Sequence, residues 1–314
     1  MIRTLPLVLA LAAMALAAPP PIEHHTVDVN GVQLHYAQSG SGQLMLFLHG
    51  FPEFWYAWKN QLDAFGADHL AVAPDMRGYN LSSKPPEVEQ YRIPLLVEDV
   101  HALAARLGHG ANRKFILVGH DWGGVVAWAY AMAHPDTLEK LIIVNAPHPA
   151  VFQRELRENP AQQKASAYML MFRGVDAEKT LSANDHEMLV RIVLSEGLKQ
   201  GHFTEADKKA YLDAWSQPGA LTGGLNYYRA AQVGPPAGSQ PAAAVAPIVP
   251  AAKVSVPTLV IWGEKDTALL TGNLEGLEAY VPQLTIRRIP EGTHWVIHEK
   301  ADAVNRHIRE FIAR

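Results

Sequence analysis

Residues 119–124 read Gly119-His120-Asp121-Trp122-Gly123-Gly124, "GHDWGG", directly after the apolar run Phe115-Ile116-Leu117-Val118. The apolar run is short enough for a strand buried on both faces. The glycines behind it permit a sharp turn into a helix where larger side chains would strike neighbouring backbone. Such a turn projects its tip residue from the carboxyl end of a sheet, where open α/β sheets bind ligands. The tip residue here is Asp121. An aspartate in that place can cap the following helix, or it can be presented as a reactive group.

Working outward, further short apolar runs recur: "LMLFLHG", "LAVAPD", "LIIVNAP", "TLVIWGEKD" and "TIRRIPEGTH". Helical patterns such as "LLVEDVHALAARL" and "GVVAWAYAMAH" separate most of them, which predicts an α/β fold with a mainly parallel sheet flanked by helices. Residues 25–38 alternate about Asn30-Gly31, a hairpin signal. From Ala150 to Pro235 the chain reads as helix alone. This predicts a helical cap (150–235) inserted between the two parts of a core, 19–149 and 254–314. "AVFQRELRENPAQQKASAYMLMF" and "NDHEMLVRIVLSEGLKQG" are among its helical stretches. Residues 236–253, rich in Pro and Ala, suit an extended connector.

Composition narrows the function classes. The 314 residues carry a net charge of -4, with 48% hydrophobic and 18% charged residues. A basic excess for nucleic acid is absent. The 15 histidines show no metal-ligand spacing, there are no cysteines, and no glycine-rich nucleotide fingerprint follows a strand, so neither metal nor organic cofactor is expected. Residues 1–18 combine Arg3, an apolar stretch from Leu5 to about Leu16 and the pattern Ala15-Leu16-Ala17. This reads as a signal peptide cleaved after Ala17, too short to span a bilayer, so an exported protein without stable membrane insertion is expected.

Three loops complete a constellation around Asp121. "HGFPEFWYAW" (49–58) follows a strand and can aim the Phe51 N–H above Asp121. The Trp122 N–H faces the same space, so the pair is a candidate oxyanion hole. "GEKD" sets Asp266 after a later strand, and "GTHW" sets His294 in a loop 28 residues on. Nucleophile, acid, histidine is the chain order of an α/β-hydrolase triad. Asp75 and Arg77 in "PDMRGY" read as an ion pair supporting the loop, and His120 as a structural support of the turn. Asn145, near the exit to the cap, is no carboxylate, which leaves the acid role to Asp266. Phe54, Trp55 and Trp295, with the oxyanion-hole residues, are candidate walls of an apolar pocket.

"HGFPEFWYAW", "APDMRGYNLSSKP", "GHDWGG", "NAPHP", "GEKD" and "GTHW" together resemble the epoxide hydrolase and dehalogenase branch of the α/β-hydrolases, from about residue 25 to the C-terminus. An aspartate nucleophile is already ionised at neutral pH and can displace a leaving group from saturated carbon, leaving an ester that a histidine-activated water cleaves. The resemblance implies two cap tyrosines that protonate an epoxide oxygen. "AYMLMF" nominates Tyr168 and "LNYYRA" nominates Tyr228, with Tyr227 its confusable neighbour. In a haloalkane dehalogenase Trp122 would serve as one halide donor, but a second side-chain N–H donor would stand at the position of Phe51. A haloacetate dehalogenase would carry arginines just after the nucleophile, where "WGGVVAWAY" has none. Hydrolysis of a small hydrophobic epoxide by water is therefore the expected activity. The alternatives are haloacetate or haloalkane dehalogenation by the same nucleophile and a binding protein without turnover.

Overall fold

The computed structural model describes residues 20–236 and 252–314. The expected leader and nearly all of the expected connector lie outside the described residues. Eight strands form one sheet: β1 (Glu23–Val29), β2 (Val32–Ser39), β3 (Leu44–Leu48), β4 (Leu70–Pro74), β5 (Phe115–His120), β6 (Leu138–Val144), β7 (Thr258–Gly263) and β8 (Leu284–Ile289). Their order is β1-β2-β4-β3-β5-β6-β7-β8. β1 and β2 pair antiparallel through the Asn30-Gly31 turn, β2 pairs antiparallel with β4, and the rest are parallel. Both turn residues take positive φ, as a two-residue hairpin requires.

The core helices are α1 (Lys59–Phe65), α2 (Ile93–Arg106) and α3 (Trp122–Ala133), and the cap helices follow as α4 (Pro149–Glu158), α5 (Pro160–Ala165), α6 (Tyr168–Arg173), α7 (Ala177–Leu189), α8 (Ser195–Gln200), α9 (Glu205–Trp215) and α10 (Ala220–Ala231). The chain ends in α11 (Val296–Glu299) and α12 (Ala301–Ile312). Alternation along the strands feeds two cores. On β3, Leu44, Leu46 and Leu48 join α2, α3 and the cap side, while Met45 and Phe47 pack with Leu62, Phe65, Val304, Ile308 and Phe311 of α1 and α12. All of these side chains are buried, so the central strands read as unbroken apolar runs because both faces are covered. β8 departs from that expectation: only Ile289 is buried, because the strand lies at the sheet edge beside β7 alone.

The cap breaks where its sequence favours breaking. The long helical stretch after Pro147 is three helices rather than one. Asn159 accepts hydrogen bonds from the N–H groups of Ala161 and Gln162, and Pro160 opens α5 at a position where its missing N–H costs nothing. The stretch from Asn184 does not begin a helix either. Asn184, Asp185 and His186 take left-handed backbone angles and divide α7, and a wide turn at Val190–Leu194 precedes α8. Among the described residues no helix is long and apolar enough to cross a membrane.

β3 lies between β4 and β5, so the chain winds outward from β3 in both directions. That reversal opens a crevice at the carboxyl ends of β3 and β5. The loop after β3 carries Phe51, the turn after β5 carries Asp121, and the cap helices lie above.

Candidate active site

Asp121 is the pivot between β5 and α3, with φ 50° and ψ -123°. A non-glycine residue held there is strained, by roughly 1–3 kcal/mol. Two close approaches enforce the turn. A Cβ on Gly123 would stand 2.1 Å from the Leu48 carbonyl oxygen, and one on Gly50 would stand 2.2 Å from Asp121 Oδ1. The carboxylate does not cap α3, which rules out the plain capping role. Instead its Oδ1 accepts a 2.7 Å hydrogen bond from the Phe51 N–H. Trp122 is the first residue of α3, and its N–H has no acceptor within the helix. The two expected oxyanion donors thus flank the carboxylate, one across the crevice and one along the chain.

His294 stands between two carboxylates. Its Nδ1 is 2.7 Å from Asp266 Oδ2, and its Nε2 is 3.7 Å from Asp121 Oδ2. With Nδ1–H donating to Asp266, Nε2 faces the space beside Asp121. Asp266 is buried and held on every side. Oδ1 accepts from the N–H groups of Ala268 and Leu269 at 2.8 and 2.9 Å, and Oδ2 accepts from Asn145 Nδ2 at 2.8 Å. Burial pushes the Asp266 pKa up, but His294 and these donors outweigh it and hold it below its ordinary value. Burial pulls His294 down, yet the charges of Asp266, Asp121 and Glu53 raise it to about 9. The His294 loop is tied in turn by Thr293, whose N–H and hydroxyl both donate to Glu299 of α11.

The cap supplies Tyr168 from α6 and Tyr228 from α10. Both line the cavity that contains Asp121, with ring centroids 6.4 Å apart and edge-on. Burial and the nearby Asp121 charge push both phenols well above their ordinary pKa. Tyr227 is distinguished from Tyr228 by its partner: its hydroxyl donates to the Arg77 carbonyl at 2.8 Å and is occupied away from the cavity. The cavity is lined by Asp121, Trp122, Val125, Pro147, Pro149, Phe152, Tyr168, Met169, Tyr228, Val233 and Leu269. Apart from Asp121, this lining carries no charge.

Several expected placements are corrected. Phe54 and Trp55 do not line this cavity. The turn Trp55–Trp58 swings them away: Phe54 packs on Tyr56 and Tyr211, and Trp55 packs on His24 while its N–H donates to Asp75. Trp295 packs edge-on against His294, 4.9 Å between centroids, and is also outside the lining. Asp75 and Arg77 form no ion pair. Asp75 bonds His35, Asn80 and the Trp55 N–H, whereas Arg77 turns to α2 and makes a two-pronged contact with buried Asp99 at 2.7 and 2.8 Å. His120 does support the turn, through a 2.9 Å bond between Nε2 and the His294 carbonyl.

The true walls, chiefly Val125, Phe152, Met169, Val233 and Leu269, carry no distinguishing mark in the sequence. They are ordinary apolar residues, and only the folded cap selects them from many like them. Pro147 and Pro149 sit in the quoted "NAPHP" motif. In the sequence Asn145 stands out only as a non-acid. In the structure it bonds Asp266, the Gly263 N–H at 2.8 Å and the Gly263 carbonyl at 3.3 Å, joining the ends of β6 and β7. The sequence signal is the asparagine itself, directly after the apolar run of β6: the position takes positive φ, a region Asn tolerates better than most residues.

Comparison with known proteins agrees with this geometry. The family described as alpha/beta hydrolase fold matches residues 43–301. The chain belongs to the α/β hydrolase fold family. It is 40% identical to the AB hydrolase superfamily protein YfhM of Bacillus subtilis (strain 168), over 91% of this chain and 96% of that protein. It is 36% identical to epoxide hydrolase 4 of Mus musculus, covering 90% of this chain and 77% of that one. Among solved structures it resembles a Bacillus megaterium epoxide hydrolase in complex with an inhibitor, with TM-score 0.86 and 38% identity, covering 92% of this chain and all of that one.

Proposed function

We propose that this protein is an epoxide hydrolase that opens a small hydrophobic epoxide to a vicinal diol through an ester on Asp121. The observation that carries the reading is a cavity, uncharged apart from Asp121, on which that nucleophile and two cap tyrosines converge, with His294 beside the carboxylate. Relatives named epoxide hydrolase at 36% identity over most of the chain support it.

In the first step an Asp121 oxygen attacks a ring carbon, the carbon–oxygen bond breaks, and Tyr168 and Tyr228 bind the departing oxygen and supply its proton. Their raised pKa keeps them protonated until an alkoxide, a much stronger base, develops beside them. In the second step His294 Nε2 takes a proton from water while the water oxygen attacks the Asp121 carboxyl carbon. The Phe51 and Trp122 N–H groups receive the oxyanion. Collapse expels the alkyl oxygen, which takes the proton from His294. The second water proton leaves the regenerated carboxyl and restores the tyrosine. Asp266 orients His294 and stabilises its charged form. Dehalogenation has less support: the cavity lining offers no arginine for a carboxylate, and the Phe51 side chain no donor for a halide.

The test is a parallel assay on styrene oxide, 1-bromobutane and fluoroacetate. Diol formation that is reduced at least tenfold in Tyr228→Phe and retained in Tyr227→Phe supports the reading. Halide release without diol overturns it. The apolar leader with its Ala15-Leu16-Ala17 pattern further supports export to the periplasm or medium. N-terminal sequencing of the mature protein would then begin at Ala18, and a retained Met1 would contradict that.

A further inference from the structure

Tyr228 must meet the oxygen that departs from the attacked carbon, yet it stands on a cap helix and not on the sheet. That helix, α10, is seated on one short piece of the core, the Arg77–Gly78 segment of the loop after β4. Gly78 has φ 95°, a region that favours glycine, and lies between α10 and the Tyr91 ring. A Cβ there would stand 2.6 Å from Tyr91 Cε1 and 3.0 Å from Gly223 Cα. A Cβ on Gly223 would stand 2.3 Å from the Gly78 carbonyl oxygen and 2.6 Å from its Cα, so two backbones touch with no side chain between them. The Tyr227 hydroxyl adds a polar tie to the Arg77 carbonyl at 2.8 Å. The seat itself is anchored. The buried Arg77 guanidinium holds Asp99 of α2 through two nitrogens at 2.7 and 2.8 Å, and its third reaches the carbonyl and side-chain oxygens of Gln90 at 3.2 and 3.0 Å. This buried ion pair does not enter the reaction above.

We propose that Gly223 is a positioning residue for Tyr228: its backbone contact with Gly78, on a segment clamped by Arg77 and Asp99, sets how deep α10 lies and so where the Tyr228 hydroxyl meets the epoxide oxygen. The inference rests on the epoxide hydrolase reading. Gly223 and Tyr228 belong to the same helix, about 7.5 Å apart along its axis, so a displacement at one is passed to the other. Tyr228 packs on Phe51, Trp122 and Phe172 through ring contacts, which can adjust. Backbone against backbone cannot rotate aside. A methyl group at 223 therefore drives α10 outward by on the order of 1 Å, enough to spoil proton transfer to the departing oxygen. The effect is confined to ring opening. His294, Asp266 and the Phe51 and Trp122 N–H groups, which cleave the ester, all stand on the core. Loss of the Tyr227 hydroxyl leaves the backbone contact intact, and Tyr228 keeps its place. Alanine for glycine inside a helix is ordinarily stabilising, so a slower reaction marks the contact and not helix propensity.

The experiment is rapid-quench and steady-state kinetics of the full chain with styrene oxide, comparing wild type, Gly223→Ala, Tyr228→Phe and the double variant. For Gly223→Ala the expected result is alkylation slowed about 10-fold to 100-fold, with less ester at steady state and turnover per ester within about twofold of wild type. The double variant should alkylate within about twofold of Tyr228→Phe alone, because moving a hydroxyl that is no longer there costs nothing further. Should Gly223→Ala not fold, Arg77→Lys keeps the buried charge but loses the two-pronged grip on Asp99, and the same split with the same non-additivity is expected. Alkylation within about twofold of wild type overturns the proposal. So does turnover per ester slowed as much as alkylation, or slowing that multiplies in the double variant. Failure of wild type to form any ester overturns the hydrolase reading itself, so the two failures are distinguishable.

Discussion

At the scale of single residues, the site depends on charges placed where burial alone would forbid them. His294 carries the clearest consequence. Its pKa in the folded protein, about 9, lies above the unfolded value of roughly 6.5. Its contribution to stability is therefore fully present below about pH 6.5 and is lost as pH rises through about 9. Urea unfolding of wild type and His294→Gln across that window checks this: the difference between them should shrink as pH rises. A difference that grows would contradict it. In Asp121→Asn one of the raising charges is gone, so His294, followed by NMR, should titrate at lower pH than in wild type. Asn145 makes a separate prediction. Asn145→Ala removes the donor to Asp266 Oδ2 and both bonds to Gly263, and kcat/KM should fall about 10-fold to 100-fold with the fold retained. An unchanged kcat/KM would show that Asp266 is held sufficiently by the Ala268 and Leu269 N–H groups. The triad was legible because its members follow strands in a fixed chain order. Asn145 was not, because its role lies in a contact 121 residues away in the chain.

At the scale of elements, the cap shares one apolar cluster with the core, and a few polar contacts fix how it is seated. Asp207 of α9 is the densest of these. It completes a capping box with Thr204 and also takes Lys59 and the Tyr56 hydroxyl from the core. Trp215 at the end of α9 donates to the Pro52 carbonyl at 2.6 Å, and Tyr227 of α10 to the Arg77 carbonyl. Asp207→Ala should destabilise the protein by about 2–4 kcal/mol, combining a lost cap with an orphaned Lys59. Thermal unfolding measures it, and a change under about 0.5 kcal/mol would show that α9 seats without this hub. Element type was readable wherever periodicity was strong, as in α2 and the buried strands. The breaks within the cap are less legible. Asn159-Pro160 carried a local stop signal, whereas the left-handed turn at Asn184–His186 is imposed by packing that brings His186 against Trp215. The edge position of β8 depends on sheet order, which no local pattern encodes.

At the scale of the whole molecule, the sheet reversal at β3 does the most to create function. It gathers the Phe51 loop and the Asp121 turn into one crevice, and the inserted cap closes an apolar chamber over them. The chamber's uncharged lining predicts a preference for neutral epoxides. Styrene oxide should have a kcat/KM at least tenfold above that of an epoxide bearing a carboxylate, because the charged group would lose its water without gaining a partner. Equal rates would indicate that the chamber opens to solvent during turnover. The pocket walls could not be read in advance. Phe54, Trp55 and Trp295 lie next to motif residues in sequence, but the backbone turns them away from the cavity and into other packing, while Phe152 and Met169 arrive from the cap.

The central claim is that Asp121 forms the covalent bond and His294 breaks it. The most direct measurement is intact-protein and peptide mass spectrometry of His294→Gln after incubation with styrene oxide. The account predicts one added substrate mass per chain, located on Asp121, with no diol produced. A His294→Gln protein that stays unmodified while wild type turns over the same substrate would contradict it.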